Sequence, residues 1–400
     1  MNFPAFSISR LPRILYGKGR INEIPSIAAG YGDAALLITG QQSFRATPRW
    51  NALTQALEAK GVSWHSLTVS GEPSPQLVDG AVAEFKPKNI KVVVAIGGGS
   101  VLDAAKAIAG LLPTGASVMD YLEGVGKNLP YHGPSLPFIA APTTAGTGSE
   151  ATKNAVFSEQ GPEGFKKSFR DECLIPEYAV IDPDLLDTCP PELIAADGMD
   201  AFTQLLESYV SLKANPFIDA LAWSGMQAVK QGFFAAYAGE GEAASAGRCA
   251  MAYASLLSGI TLAQVGLGSV HGLASPLGAF YPIPHGVVCG TLVSAATAVN
   301  IAALEARAPE SPALPKYAQV GRLLSSQDGL SDADARSALI QLLADWSREL
   351  KLPGLSAYGI DAADFAKIVA NSRGSSMQTN PIVLTDAEIE RILQLRLSIS

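Results

Sequence analysis

Two histidines give the first indication of chemistry in this sequence. The chain has four histidines in 400 residues, and His271 and His285 share one stretch, HGLASPLGAFYPIPHG. Pro276, Pro282 and Pro284 lie between them, so a continuous helix is not expected. We expect His271 to end one segment and His285 to open the next, so that the chain loops back and the imidazoles meet. Two neutral imidazoles facing one point suit a divalent metal such as iron or zinc; the alternative is that each histidine only packs.

Asp200 and Gln204, in the segment GMDAFTQLLESY, form a second candidate pair. On a helix, residues at this spacing project from the same face, one turn apart. A carboxylate and an amide oxygen can complete a four-ligand site with His271 and His285. The alternative is an amphipathic helix that carries two polar residues on its wetter side.

A run of glycines predicts a nucleotide site. The strand-like IKVVVAI leads into Gly97, Gly98, Gly99 and Ser100, and helix formers follow. Glycines let the backbone approach a ligand closely, and we expect Ser100 to cap a helix whose free N–H groups favour a pyrophosphate. The run is neither a G-x-G-x-x-G fingerprint nor a Walker motif. A second Gly- and Thr-rich loop, residues 143–149, follows another strand, and two such loops favour a dinucleotide site over two plain turns.

Gly40 bears on which dinucleotide is bound. Many dinucleotide sites place an acidic residue after the first strand, where it binds the ribose hydroxyls. This chain has Gly40 there, and Arg45 follows closely enough to pair with a 2′-phosphate. The pattern favours NADP over NAD, unless Gly40 only makes the turn.

The elements that must position these residues divide the chain in two. Up to residue 185, strand-like and helix-like segments alternate, which is typical of an α/β domain with a largely parallel sheet and ligands at the carboxyl ends of its strands. Beyond that point the pattern predicts helices only. We therefore predict a Rossmann-like dinucleotide-binding domain over residues 1–185 and an all-helical metal- and substrate-binding domain over residues 186–400. The predicted strands are 34–39, 62–69, 90–96, 137–141 and 178–181, and the predicted helices are 47–60, 76–85, 101–111, 190–211, 248–262 and 331–352, with two more starting at 215 and 385.

Composition limits the class of protein. Hydrophobic residues make up 48% of the chain and charged residues 16%, with a net charge of −8, as in soluble globular proteins. An acidic chain without a basic stripe argues against nucleic acid as a partner. We expect no membrane span and no signal peptide, because no apolar run approaches the length of a span and the N-terminal segment lacks a hydrophobic core and cleavage site. The cysteines are widely spaced, which predicts free thiols in the cytoplasm; they are Cys173, Cys189, Cys249 and Cys289.

Taken in order, these and further motifs resemble those of the iron-containing (group III) alcohol dehydrogenases, nearly from end to end. The resemblance implies a dehydroquinate synthase-like architecture, in which a divalent metal, Fe²⁺ or Zn²⁺, meets the nicotinamide of NAD(P) in a cleft between the α/β and helical domains. It also implies a homo-oligomer, a dimer or larger. The motifs are GGGSVLDAAKAIA at 97–109, PTTAGTGSE at 142–150, IDPDLL at 181–186, GMDAFTQLLESY at 198–209, VHGLASPLGAFYPIPHG at 270–286 and NPIVLT at 380–385.

Carried over position by position, the resemblance assigns roles to individual residues. Asp200, His271 and His285 would bind the metal and serve catalysis, with position 204 as the fourth ligand. Together with Gly40, the positions expected to contact the cofactor are Gly97, Gly98, Gly99, Ser100, Asp103, Thr143, Thr144, Thr147, Asn154 and Lys166.

Two positions depart from the family pattern. The family usually has histidine where this chain has Gln204, and it often has a second histidine where this chain has Ser275. A neutral carboxamide oxygen suits magnesium or calcium better than iron or zinc. We therefore expect a more weakly bound metal, with Gln204 as a weak fourth ligand or as a residue that bonds a metal water. Ser275 removes an imidazole that would serve as a proton relay.

The resemblance implies an NAD(P)-dependent alcohol dehydrogenase or aldehyde reductase acting on a small alcohol or aldehyde. The metal would polarise the substrate oxygen while hydride passes to or from the nicotinamide. One alternative is a metal-independent reductase on the same fold, as the maleylacetate reductases are interpreted. The others are a dehydroquinate synthase-like lyase and a protein that binds the cofactor without turnover. No Ser–His–Asp arrangement supports hydrolysis.

Overall fold

The computed structural model describes residues 5–397. Residues 1–4, which begin the segment examined for a signal peptide, and residues 398–400, which end the predicted helical domain, lie outside the described residues. Within 5–397, the first part of the chain has eight strands: β1 (Arg13–Tyr16), β2 (Ala34–Gly40), β3 (Ser63–Val69), β4 (Val92–Gly97), β5 (Phe138–Pro142), β6 (Asn154–Glu159), β7 (Phe165–Arg170) and β8 (Tyr178–Ile181). Six of them form a parallel sheet in the order β1-β8-β5-β4-β2-β3, and β6 and β7 form a separate antiparallel hairpin.

Helices cover both faces of the large sheet, which explains why its strands are apolar throughout. Successive side chains of β4 point to opposite faces. Val93 and Ala95 join one core cluster, and Val92, Val94 and Ile96 join the other. A strand buried on both faces has a continuous run of apolar residues in its sequence, as β4 has. The helices of this part are α1 (Ile24–Ala29), α2 (Pro48–Ala59), α3 (Pro75–Phe85) and α4 (Gly99–Leu111).

The strand order reverses between β2 and β4. The chain places β3 on one side of β2 and β4 on the other, with Thr39 beside Ile96 in the parallel register. The loops that leave these two strands therefore separate and leave a crevice at the carboxyl edge, which is where doubly wound sheets bind ligands. Gly40 and the 97–99 glycines lie at this crevice.

The second part of the chain is helical and packs around one large core. The predicted helix start at Asn215–Pro216 is confirmed, because the Asn215 side chain accepts a hydrogen bond from the N–H of Ile218. The predicted start of the last helix at Thr385 is confirmed by two reciprocal hydrogen bonds with Glu388. The helices are α5 (Pro191–Val210), α6 (Pro216–Ala238), α7 (Gly241–Val265), α8 (Ser269–Phe280), α9 (His285–Arg307), α10 (Ala313–Ser325), α11 (Asp332–Glu349), α12 (Phe365–Ala370) and α13 (Asp386–Leu397).

The predicted fold class, a parallel α/β part followed by a helical part, is confirmed. The exact boundary at residues 185 and 186 stays a prediction. Two features were not predicted from the sequence: β1, a four-residue edge strand, and the β6–β7 hairpin, whose residues are mostly polar.

The prediction that His271 ends a segment is wrong. His271 lies in the first turn of α8, and the helix continues through Pro276 to Phe280. Proline removes one backbone donor and crowds the preceding turn, but α8 is buried along most of its length. Packing of a buried helix outweighs this local cost.

Helix α9 corrects a second expectation. An 18-residue window of α9 has a mean hydropathy of 1.9, so this stretch does meet the length and composition of a membrane span. However, 89% of that window is buried inside the protein. Helix α9 is therefore a buried core helix, packed among α5, α8, α11 and α13.

Candidate functional site

Helix α5 brings three polar side chains into the helical core. Asp200, Gln204 and Glu207 follow one another at helical spacing and are all buried. Buried carboxylates need partners or ions, so this face of α5 is a strong signal for a site. Asp200 and Gln204 were predicted from the sequence and Glu207 was not, although its spacing on α5 already places it on the same face.

Helices α8 and α9 place two imidazoles opposite α5. The ring centroids of His271 and His285 are 5.4 Å apart. Nε2 of His271 lies 3.1 Å from Oδ1 of Asp200, and Nε2 of His285 lies 3.7 Å from the same oxygen. The predicted meeting of the two imidazoles with Asp200 is therefore what the structure shows. The thiol of Cys289 completes a group of four potential metal-ligating side chains, whose donor atoms lie within 4.8 Å of one another.

Glu207 fixes the orientation of His271. One carboxylate oxygen lies 2.7 Å from Nδ1 of His271, and the other accepts the backbone N–H of Val270 at 2.7 Å. A carboxylate that accepts from Nδ1 selects the tautomer in which Nε2 is free to bind a metal. Glu207 thus orients the imidazole and also satisfies a donor at the start of α8.

Asn380 anchors the start of α8 from the other side. Its side-chain oxygen accepts the N–H of Ser269 at 2.9 Å, and its amide nitrogen donates to Asn300 at 2.7 Å. Asn300 in turn donates to the hydroxyl of Ser269 at 3.0 Å. The first N–H groups of a helix have no partner within it, so these contacts fix the turn that carries His271.

The charges at the site shift the pKa values of its members. Burial alone would raise the pKa of Asp200, but His285 and His271 outweigh it and lower that pKa to about 2. Burial alone would lower the pKa of His271, but Cys289, Asp200 and Glu207 raise it well above its usual value. Burial, with the nearby Lys166 ammonium, lowers the pKa of His285 to about 4. At neutral pH the site thus contains an ionised Asp200 and a neutral His285, both of which can bind a cation.

The residues present fit a divalent metal. Oδ2 of Asp200 is buried without a hydrogen-bond partner among residues 5–397. A buried ionised oxygen that lacks a donor is costly unless a cation satisfies it. The donor set of one carboxylate, two imidazoles and one thiol is typical of sites for zinc or iron.

Gln204 and Ser275 both have protein partners. The side-chain oxygen of Gln204 accepts a hydrogen bond from the hydroxyl of Ser258 on α7 at 2.7 Å. The hydroxyl of Ser275 donates to the backbone carbonyl of Lys166 at 3.2 Å. The hydroxyl that replaces the second histidine is thus used to join α8 to β7.

The two glycine-rich loops lie against each other at the crevice. A Cβ on Gly98 would lie 3.4 Å from the Thr144 side chain, and one on Gly99 would lie 2.7 Å from that of Thr147. The N–H of Thr143 donates to the carbonyl of Gly97 at 3.0 Å. Glycine is therefore needed at position 99 because the second loop occupies the space of a side chain.

The helix cap after the glycine run differs from the prediction. The N-cap of α4 is Gly98, and Ser100 lies within the first turn. Gly98 has no side chain with which to cap, so no side chain competes for the first N–H groups of α4, and this helix start remains suited to a pyrophosphate. This arrangement fits the dinucleotide that the sequence predicts.

Asp103 and Lys106 connect α4 to the next segments. The Asp103 carboxylate accepts from the Ser149 hydroxyl at 2.5 Å and from a backbone N–H of β6 at 3.0 Å. The fully buried ammonium of Lys106 donates to oxygens of Ser149, Thr152 and Asn154 at 2.7 to 3.0 Å. Lys106 was not identified from the sequence, because the side chain of a lysine in a helix is normally exposed to solvent. Asp103 has protein partners here, and its cofactor role stays a prediction.

Lys166 faces the metal-site side of the crevice. It lies on β7, its Nζ is 2.5 Å from Oε1 of Glu72, and its side chain is only 10% exposed. Lys166 is close enough to His285 to shift its pKa. Asn154, the first residue of β6, uses its carbonyl to hold Lys106.

Gly40 and Arg45 occupy the other end of the crevice. Arg45 stacks on Trp50, with its Cζ 4.4 Å from the ring centroid, and its Nε donates to the Thr39 hydroxyl at 2.7 Å. Its Nη2 is buried and has no partner among the described residues. A guanidinium with an unused donor thus lies next to the end of β2.

Two family models match nearly the whole described chain. The model "Iron-containing alcohol dehydrogenase" matches residues 12–183, and the model "Fe-containing alcohol dehydrogenase family, C-terminal" matches residues 194–397. This chain belongs to the iron-containing alcohol dehydrogenase family. The family uses NAD(P) and a divalent metal, so the chain is an oxidoreductase that acts on alcohols and aldehydes with a nicotinamide cofactor. The predicted family, fold class and reaction are confirmed.

Individual relatives show the range of reactions. "Alcohol dehydrogenase 4" of Saccharomyces cerevisiae (strain YJM789) is 31% identical over 387 residues, 96% of this chain and 96% of that protein. The NADPH-dependent butanol dehydrogenase of Clostridium saccharobutylicum is 29% identical over 399 residues, 96% of each chain. The structure of sulfoacetaldehyde reductase from Bifidobacterium kashiwanohense in complex with NAD⁺ has a TM-score of 0.84 and 28% identity, covering 99% of this chain and 100% of that one.

Proposed function

We propose that this alcohol dehydrogenase transfers hydride between a small primary alcohol or aldehyde and NADP at a metal held by Asp200, His271 and His285. The observation that carries the proposal is the buried group in which both imidazole Nε2 atoms face Oδ1 of Asp200. Zinc or iron bound there would supply Lewis acidity toward the substrate oxygen, and the nicotinamide would supply or accept the hydride.

The protein side chains would position the reactants and handle the proton. Glu207 holds His271 in one tautomer, and the glycine-rich loops and the start of α4 would hold the pyrophosphate. Glu72 and Lys166 form an ion pair beside His285. Because the Glu72 side chain is 35% exposed, this pair would exchange a proton between the site and solvent. The pair lies next to Ser275, where the family often has a second histidine.

Removal of the metal tests the catalytic proposal. After chelation, we expect reduction of short aldehydes to fall by at least about 100-fold and to recover with zinc or iron, because Lewis-acid stabilisation contributes several kcal/mol. The measurement is NADPH oxidation before and after chelation, with bound metal quantified and circular dichroism as the control for folding. Full activity without metal would favour the metal-independent reductase. Tight cofactor binding without turnover of any aldehyde would favour a binding protein.

The preference for NADP rests on Arg45. The Nη2 of Arg45 is buried without a partner among residues 5–397, so a shift of this half-buried side chain would offer it to a 2′-phosphate, and Gly40 brings no carboxylate to repel one. We expect Arg45→Gln to lower kcat/KM for NADPH by about 10- to 100-fold, the effect of a charged hydrogen bond, and to change that for NADH less than about twofold. Arg49→Gln is the matched control, since Arg49 is a nearby arginine bonded to Asp187. Equal losses with both cofactors would contradict the proposal.

We also propose a cytoplasmic homo-oligomer, a dimer or larger. Strand β1 lies at one edge of the sheet and exposes Ile14 and Tyr16. An open edge strand with exposed apolar residues is a site at which a second copy can pair. Light scattering coupled to gel filtration measures the assembly, and a monomer at micromolar concentration would contradict it.

A further inference from the structure

Cys289 lies inside the candidate metal site. It follows His285 by one turn of α9, so both side chains project from the same face of one rigid helix. Its sulfur is 3.6 Å from Nε2 of His271 and 3.9 Å from Nε2 of His285. A buried cysteine that only packs would surround its sulfur with apolar atoms. Here the sulfur faces the same polar point as Asp200 and the two imidazoles.

We propose that Cys289 is the fourth protein ligand of the metal, in place of the histidine that the family usually has at position 204. This inference rests on the metal site of the proposed function and adds a ligand to it. Bonds of about 2.0 to 2.3 Å at tetrahedral angles put ligand atoms roughly 3.3 to 3.6 Å apart, and zinc can expand to five ligands when a substrate oxygen joins four protein ligands. The sulfur–nitrogen distance of 3.6 Å to His271 already fits, and the distance of 3.9 Å to His285 needs to shorten by only a few tenths of an ångström.

Gln204 is the competing candidate for the fourth position. Its oxygen already accepts the Ser258 hydroxyl at 2.7 Å, which joins α5 to α7. It is also a neutral donor, whereas a thiolate binds zinc and iron strongly and carries a negative charge. As the sulfur–metal bond forms, the thiol proton passes to solvent. Thiolate and Asp200 together then balance the two charges of the ion inside the buried site.

The ligand set has a consequence for metal choice. One thiolate, two imidazoles and one carboxylate form a softer site than three imidazoles and one carboxylate. We therefore expect zinc to compete well with ferrous iron, and magnesium to bind poorly. The loss of an imidazole at 204 then need not weaken the site, which revises the expectation from sequence.

Cobalt(II) substitution tests the proposal without relying on turnover. The whole protein is stripped of metal and titrated with Co²⁺ alone, and its absorption spectrum is recorded. We expect one equivalent to bind and a sulfur-to-cobalt charge-transfer band to appear in the near ultraviolet. Cys289→Ser should abolish that band and weaken Co²⁺ binding by at least about 10-fold. Cys249→Ser is the matched control, because this partly buried thiol on α7 lies outside the group.

The possible results distinguish the role of Cys289 as a ligand from the existence of the metal site itself. Stoichiometric binding with visible d–d bands but no charge-transfer band would overturn the role of Cys289 and leave the metal site of the proposed function in place. No stoichiometric binding would overturn both. X-ray absorption of the zinc-loaded wild-type protein gives a second measurement that needs no variant. One sulfur scatterer at about 2.3 Å supports the proposal, and a shell of nitrogen and oxygen alone overturns it.

Discussion

Glu207 contacts two different groups through its two carboxylate oxygens. One binds the imidazole of His271 and the other binds the backbone of Val270, both at 2.7 Å. The side chain is therefore held rigidly, and the imidazole has one orientation before any metal arrives. A ligand that is already oriented loses little entropy on binding.

Glu207→Gln should weaken metal binding by about 10- to 100-fold. The amide oxygen can still accept the N–H of Val270, but a neutral amide no longer raises the basicity of His271. The dissociation constant is measured by competition with a chromogenic zinc chelator. Glu192→Gln, in the exposed first turn of the same helix, is the control and should leave the constant unchanged. An unchanged constant in Glu207→Gln would contradict a role for the carboxylate in metal binding.

The residues of the site were predictable to different degrees. His271, His285 and Asp200 were predicted because their residue types are rare in apolar segments and match a known chemistry. Cys289 and Glu207 were not identified, because each meets the others only after α5, α8 and α9 pack together. Helical spacing relates residues on one helix, as for Asp200 and Glu207, but does not reveal which helices face each other.

At the scale of elements, the buried strands and the capped helices were the predictable parts. A continuous apolar run bounded by glycine predicts a strand such as β4, and Asn215–Pro216 predicts a helix start. The polar hairpin of β6 and β7 was not predictable, because its strands are stabilised by contacts with α4 and α8. The helix end predicted near Pro276 is wrong for the same reason, since tertiary packing outweighs a local preference.

Lys106→Met should destabilise the protein by about 3 to 5 kcal/mol. The substitution leaves Asp103 and the oxygens that Lys106 binds without a cation, and these contacts hold α4 to β6 and to the 149–152 turn. The free energy of unfolding is measured in urea. Lys153→Met is the control, because Lys153 is partly exposed and pairs loosely with Glu172, so about 1 kcal/mol or less is expected. Equal effects of both variants would show that burial of Lys106 contributes no special stability.

At the scale of the whole molecule, stability should depend on the pH through buried carboxyl groups. Burial raises the pKa of Glu150 to about 7, from an ordinary value of 4.5, and its Oε1 has no partner among residues 5–397. Between these two values the folded state holds a proton that the unfolded state has lost. The contribution to stability is therefore complete below pH 4.5 and is lost as the pH rises through 7.

Glu150→Gln should remove this pH dependence. At pH 8 we expect the variant to be more stable than the wild type by up to roughly 3 kcal/mol, because the amide needs no proton to stay neutral. Below pH 4.5 the two proteins should have nearly the same free energy of unfolding, which urea titrations at several pH values can measure. The exposed Glu163→Gln is the control and should follow the wild type at every pH. The raised pKa would be contradicted if the free energy of unfolding of the wild type rose between pH 5 and 7 in parallel with that of the variant.

The β6–β7 hairpin limits how the molecule can open. Its turn donates the N–H of Gly161 to the carbonyl of Ala279 at 3.1 Å, and the carbonyl of Pro162 accepts from Lys367 at 2.9 Å. The carbonyl of Lys166 accepts from Ser275 at 3.2 Å. A non-covalent tether thus runs parallel to the covalent connection at residues 186–190, and the two halves cannot swing about a single hinge. If the cleft opens to exchange cofactor, these three hydrogen bonds must break or the hairpin must bend. We therefore expect small twisting motions of the two domains and not a wide opening between them.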